Sequence, residues 1–210
     1  FLNLTIELDH YLEVLFLFKR LYPKHFVASI YDIDLEMLKR NGVKAILTDL
    51  DNTLVAWNIA DAPDELVSWL DMVNNQYGFD VIIVSNNNGD RVKKFADPLG
   101  LHYIAPARKP LPIGFKRALT EFGYHAKEVV FLGDQLFTDV LGANSVGIEV
   151  IHVQPVVKTD GVVTKFNRLM ERLIFRRMKR KGIYKLTQRV KEDPAALKHP
   201  IETLRQDKQQ

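Results

Sequence analysis

The sequence predicts an α/β fold: a parallel sheet of about five strands with helices on both faces. Two observations carry that expectation. Between residues 43 and 153, short runs of Val, Ile and Leu alternate with longer stretches whose apolar residues recur at helical spacing. The short runs are also near-continuously apolar, as strands are when a parallel sheet is covered on both sides.

The expected strands are 45–48, 80–84, 101–104, 129–132 and 149–153. Between the first two, Leu66, Trp69, Leu70 and Val73 fall at i, i+3, i+4 and i+7, with Pro63 near the first turn and Gly78 as the stop. Val92, Phe95, Ala96 and Leu99 repeat the spacing, although Pro98 should end that helix early. Phe115, Ala118, Leu119 and Phe122 form a third stripe, stopped by Gly123. Ahead of this core, Asp34 is placed to cap a short helix over 35–41 that ends at Gly42.

Behind the core, Val162, Val163, Phe166, Leu169, Met170, Leu173 and Ile174 trace one apolar face. Lys165, Arg168, Arg172, Arg176 and Arg177 populate the other. From Leu186 onward the sequence is polar and contains Pro194 and Pro200, so a weakly ordered tail is expected. The organisation is therefore an extension with a short helix (1–41), a core (42–157), a basic amphipathic helix (158–185) and a tail (186–210). Residues 1–17 are given little weight, because 12–16 read LEVLF, the first half of a common protease tag site.

Hydrophobic content of 47% and charged content of 26% are those of a globular protein. No apolar run approaches the roughly 18–20 residues that span a bilayer. The run 14–18 is followed by Lys19 and Arg20, the wrong polarity for a signal peptide. Cysteine is absent, so no disulfide, thiolate zinc site or cysteine nucleophile can form within these residues, and cysteine-based phosphatase chemistry is excluded. A cytoplasmic location is the expectation. The net charge of +3 hides a balance of −6 over residues 1–157 and +9 over 158–210. That asymmetry suggests an anionic partner for the C-terminal quarter.

The chemistry lies in four loops. Asp49 and Asp51 follow the first strand, Ser85 and Asn86 the second, Lys109 the third, and Asp134 the fourth, with Asp139 five residues on. In a parallel sheet all four open at one edge, where ligands bind. One hydroxyl, one ammonium and four carboxylates would converge there. Alone, each element has an ordinary reading: a turn, a cap or a solvated charge. Together they suit one hard cation shared through oxygen, most naturally Mg²⁺. That cation would relieve the carboxylate repulsion and leave Asp49 free to attack phosphorus and form an acyl phosphate. Asp51 is placed to protonate the departing alkoxide and then to deprotonate water.

These residues resemble the motifs of the haloacid dehalogenase superfamily: Asp49-Leu-Asp51-Asn-Thr53, Ser85-Asn86, Lys109, and Gly133-Asp134 with Asp139. "VSNNN", "ARKP", "GDQLFTDVLGAN" and "VVKTDGVVTKFNR" are similar, more narrowly, to the YqeG family of subclass IIIA phosphatases, over roughly residues 21–182. The resemblance implies a Rossmann-like core. It makes Asp49 nucleophile and metal ligand, and Asp51 an acid/base lending its carbonyl to the metal. Asp134 becomes the other carboxylate ligand and Asp139 a more remote one. It gives the phosphoryl group to Ser85 and Lys109, supported by Asn86 and Thr53, and favours Lys109 over its neighbour Arg108.

Between Thr53 and Ser85, and again between Ser85 and Lys109, there is room for one helix and one strand only. No sizeable cap is therefore expected. An open site admits a large or surface-bound phosphate ester, or is covered by a partner subunit. A response-regulator receiver domain takes its acidic pair and its phosphorylated Asp from different strands, unlike Asp49 and Asp51. A phosphomutase would need a cap.

Eukaryotic relatives of the YqeG family include phosphatidylglycerophosphate phosphatases, which brings that phospholipid forward as a substrate. The basic helix then has three readings. Its stripe packs on the sheet, the ordinary use of such spacing; it lies on an anionic membrane; or its Lys/Arg run meets RNA. A non-catalytic protein of this fold, docking on RNA or membrane, is the alternative function. Trp57 stands either at the rim of the site or in the core.

Overall fold

A computed structural model describes residues 18–157, 162–184, 186 and 187; side chains are described for these except 162–168, 186 and 187. Among the described residues the sheet has seven strands in the order β4-β3-β2-β5-β6-β1-β7, all parallel. They are β1 (His25–Val27), β2 (Ala45–Thr48), β3 (Asp80–Val84), β4 (His102–Ile104), β5 (Val129–Gly133), β6 (Glu149–Val153) and β7 (Leu186–Thr187). The five expected strands are present. The two additions, three and two residues long, lie together at one edge and are too short to carry a periodic signal.

Alternate residues of each strand face opposite layers. Ile46, Ile83 and Leu132 join a cluster built with α1 (Leu35–Arg40), α2 (Asp64–Asp71) and α3 (Gly89–Ala96). Leu47, Ile82 and Phe131 join a second cluster with α4 (Pro112–Phe122), α5 (Leu141–Ser145) and α6 (Val162–Arg180). Both faces are dry, which is why the strands read as unbroken apolar runs. Burying each such side chain contributes ~1.5–3 kcal/mol.

The punctuation acts as expected. Asp34 Oδ1 accepts the Met37 amide at 2.8 Å and caps α1. Pro98 sits in a single 3-10 turn that ends α3, and Gly123 closes α4 in the left-handed region at φ 75°. Each crossover on either side of β3 carries one helix and short turns, so among the described residues neither inserts a cap over the sheet's C-terminal edge.

The C-terminal helix departs from its expected orientation. Ile174 is buried, but Leu169, Met170 and Leu173 are exposed; the buried face is Glu171, Ile174 and Met178, with Phe175 partly covered. Phe175 stacks edge-on against His152 at 5.2 Å, anchoring the helix beside β6. A buried Glu does not register in an apolar count, so the stripe read from the sequence was turned from the true contact face. The side chains of Val162, Val163, Lys165, Phe166 and Arg168, residues 1–17 and most of the expected tail lie outside the described residues; Leu186 and Thr187 pair with β1. Among the described residues no helix is long and apolar enough to cross a membrane.

Candidate active site

The chain runs outward from β2 through β3 to β4, then returns to β5 on the other side of β2. Parallel sheets bind ligands at such a switch point. Asp49 is the first residue past β2, and its amide donates to the Leu132 carbonyl at 2.9 Å, continuing the β2–β5 ladder. Asp134 leaves β5 one step later. Two carboxylates thus emerge from neighbouring strands at the point where strand order reverses.

Carboxylate oxygens of Asp49, Asp134 and Asp139 all lie within 4.8 Å of one another, and all three residues are buried. Lys109, only 6% exposed, places Nζ 2.6 Å from Asp49 Oδ1 and 2.8 Å from Asp139 Oδ1. One ammonium thus meets two of the three clustered carboxylates. Burial pushes the Asp49 carboxyl up to about 6, against the pull of Lys109 and helped by the Asp139 charge. Burial alone would lower the Lys109 ammonium, but Asp139 and Asp49 outweigh it and hold it above the ordinary lysine range. An all-oxygen donor set with surplus negative charge out of water fits a hard divalent cation such as Mg²⁺.

Asp139 reaches this cluster from a single π-helical turn, Leu136–Val140. The Gln135 amide donates to its Oδ2 at 3.1 Å. Gly133 is needed here: a Cβ at that position would stand 2.5 Å from the Asp139 Cβ. The turn is fastened from behind by Glu171, whose Oε1 accepts the Leu136 amide at 2.5 Å, and by His152, whose Nε2 donates to the Asp134 carbonyl at 3.1 Å.

Around the cluster opens a pocket of about 250 Å³, lined among others by Asp51, Trp57, Ser85, Asn87 and Gln135. Asn86, expected to support the phosphoryl group, also lines it but has both ends of its amide engaged: Nδ2 donates to the Lys109 carbonyl at 2.8 Å, and Oδ1 accepts the Lys109 amide at 2.6 Å. Thr53 lies within 3.4 Å of Asp134 Oδ1. Ser85 is buried and its Oγ accepts the Asn87 amide at 3.1 Å. Trp57, 52% exposed, stands at the rim rather than in the core. Arg108 is exposed beside the buried Lys109.

The Asp51 carboxylate is held apart from the acidic cluster. Oδ2 accepts Asn87 Nδ2 at 2.7 Å and Oδ1 accepts Arg91 Nη2 at 3.1 Å. Neither partner was expected from the sequence, nor were Glu171 and His152. Asn87 extends the Ser85-Asn86 pair in the run that follows β3, whereas Arg91 belongs to no motif.

A capless parallel sheet with three clustered acids and a buried lysine at its switch point belongs with the haloacid dehalogenase-like hydrolases, whose family model matches residues 59–147; a model described as mitochondrial PGP phosphatase matches residues 9–98. The probable phosphatase YqeG of Bacillus subtilis is 47% identical over 160 residues, covering 76% of this chain and 92% of that protein. The chain belongs to the YqeG family of haloacid dehalogenase-type phosphatases and is a phosphoric monoester hydrolase. More distant are a phosphatidylglycerophosphate phosphatase of Arabidopsis thaliana, 26% identical over 177 residues (77% of this chain, 49% of that protein), and the mitochondrial phosphatidylglycerophosphatase GEP4 of Saccharomyces cerevisiae, 28% identical over 152 residues (64% and 80%). The chain thus spans about half the length of the plant protein.

Proposed function

We propose that this phosphatase works with Mg²⁺ through an aspartyl-phosphate on Asp49. The observation that carries the reading is the burial of the Asp49 carboxylate among Asp134, Asp139 and Lys109 at the switch point. Asp49, Asp134 and the Asp51 carbonyl would hold the cation, with Asp139 further out; once bound it supplies charge neutralisation for the cluster and the phosphoryl group. Asp49 attacks phosphorus in line with the departing oxygen. Lys109 and the Ser85 hydroxyl hold phosphoryl oxygens, Asn86 fixes the Lys109 backbone, and Thr53 supports Asp134. Asp51 donates a proton to the leaving alkoxide, then takes one from the water that opens the acyl phosphate. Positioning and charge neutralisation are most of what phosphoryl transfer requires.

For the substrate, phosphatidylglycerophosphate is the reading supported by the names of the plant and yeast relatives and by the uncapped pocket. The outward face of α6 supports a membrane partner: Leu169, Met170 and Leu173 are exposed beside Arg172, Arg176 and Arg177. Near an anionic bilayer each such charge contributes ~1 kcal/mol. The protein would then act in the cytoplasm at the membrane surface, and docking on RNA is the lesser reading of the same charges.

The test is a panel of phosphate esters, including phosphatidylglycerophosphate in micelles, given to the wild type, Asp49→Asn and Asp51→Asn with and without Mg²⁺. Asp49→Asn is expected to abolish phosphate release and Asp51→Asn to slow it by roughly 10²–10⁴-fold. Undiminished turnover by Asp49→Asn refutes the nucleophile. Co-sedimentation with anionic vesicles tests the membrane reading, which fails if no protein pellets at low salt.

A further inference from the structure

Arg91 lies in the first turn of α3 and joins three groups from other parts of the chain. Its Nη2 is 3.1 Å from Asp51 Oδ1, 2.6 Å from the Ile59 carbonyl oxygen and 3.4 Å from the Trp57 carbonyl oxygen. The second Asp51 oxygen is held by Asn87, in the loop that leads into the same helix. Both carboxylate oxygens are therefore engaged, one by the helix and one by the loop that leads into it. Turning the side chain would break a charge-assisted hydrogen bond.

The 57–59 segment brings Trp57 to the mouth of the pocket. Arg91 thus fastens the Asp51 side chain and the 57–59 rim segment to the same helix. We propose that Arg91 is a positioning residue for proton transfer: it sets Asp51 and the 57–59 rim as one unit on the leaving-group side of the site. The inference rests on Asp51 being the acid/base. The competing account is an ion pair that merely ties a helix to a loop. Such a pair, only one-fifth exposed on each side, would add to stability, but that role gives no reason for the guanidinium to take the carboxylate and the rim carbonyls together. A lysine at this position would keep the charge and lose the guanidinium Nη2 that meets all three oxygens.

Two phosphate esters of nearly the same shape separate the accounts. Para-nitrophenyl phosphate releases a weakly basic phenolate that needs little protonation; phenyl phosphate releases a far more basic one. With the full chain and Mg²⁺, kcat/KM reports the step that breaks the ester bond. Arg91→Gln is expected to lower kcat/KM for phenyl phosphate on the order of 10-fold more than for the nitrophenyl ester, a part of what a positioned acid supplies. In the Asp51→Asn background the same change should cost less than about twofold, because two residues acting as one unit are not additive.

Equal losses on the two esters overturn the proposal, as does a loss that persists undiminished beside Asp51→Asn. If Arg91→Gln does not fold, Arg91→Lys carries the same two comparisons. A wild type inactive on both esters and on the wider panel with phosphatidylglycerophosphate defeats the proposed mechanism along with this inference. An active wild type with additive variants defeats this inference alone.

Discussion

The Glu171 carboxylate accepts the Leu136 amide at 2.5 Å inside the protein, fastening the C-terminal helix to the turn that carries Asp139. The helix that follows the last of the crossovers thereby braces the turn beside the acidic cluster. Glu171→Leu leaves a buried N–H without its acceptor, a loss of about 1–3 kcal/mol. Urea unfolding should show that loss, with Glu171→Gln recovering part of it through its amide oxygen. Weaker Mg²⁺ binding by calorimetry should accompany the Leu variant; unchanged affinity would limit Glu171 to a role in stability.

Lys109 neutralises two buried carboxylates at once. Removing one partner of a buried ion pair leaves an uncompensated charge and costs roughly 3–5 kcal/mol. Lys109→Met should lower stability by that order in EDTA and by less with Mg²⁺, which would take over part of the neutralisation. Phosphate release should fall to background under both conditions.

Asp49 titrates near 6 instead of its ordinary 3.8. A carboxyl whose folded pKa is raised binds its proton more tightly in the folded state. The stability it contributes is complete below pH ~4 and is lost as pH rises through about 6. In EDTA, melting curves of the wild type and Asp49→Asn should therefore diverge in favour of the variant between pH 4 and 6.5, then run parallel. A gap independent of pH would contradict the raised value.

At Gly133 a methyl group has nowhere to go, since Asp139 occupies its space 2.5 Å away. Gly133→Ala should cost about 1–3 kcal/mol through overpacking and displace Asp139 from Lys109. A variant with full activity and an unchanged melting temperature would show that the loop yields.

The positions of Asp49, Ser85 and Asp134 were readable because each follows a strand with a strong apolar signal, and Lys109 because it follows a weaker one in the same alternation; parallel strands bring their C-terminal ends to one edge. Asn86 was readable as a member of that edge, but its engagement with the Lys109 backbone was not; that depends on how two crossover loops meet. The buried face of α6 was misjudged because periodicity weighs apolar residues, and this helix buries Glu171 while exposing Leu169 and Leu173. Strands β1 and β7 are held by neighbouring strands rather than by their own two or three residues.

By itself, then, the sequence determined a covered parallel sheet, one edge bearing the acids, the hydroxyl and the lysine, and the absence of room for a cap. Those features follow from local spacing and from the alternation of strand and helix. Tertiary structure alone decided that Arg91 would hold Asp51, that Glu171 and His152 would brace the Asp134–Asp139 turn, and that Trp57 would stand at the rim. These pairings join residues far apart in the chain, and their energy exists only after the crossovers have packed; no local pattern records it.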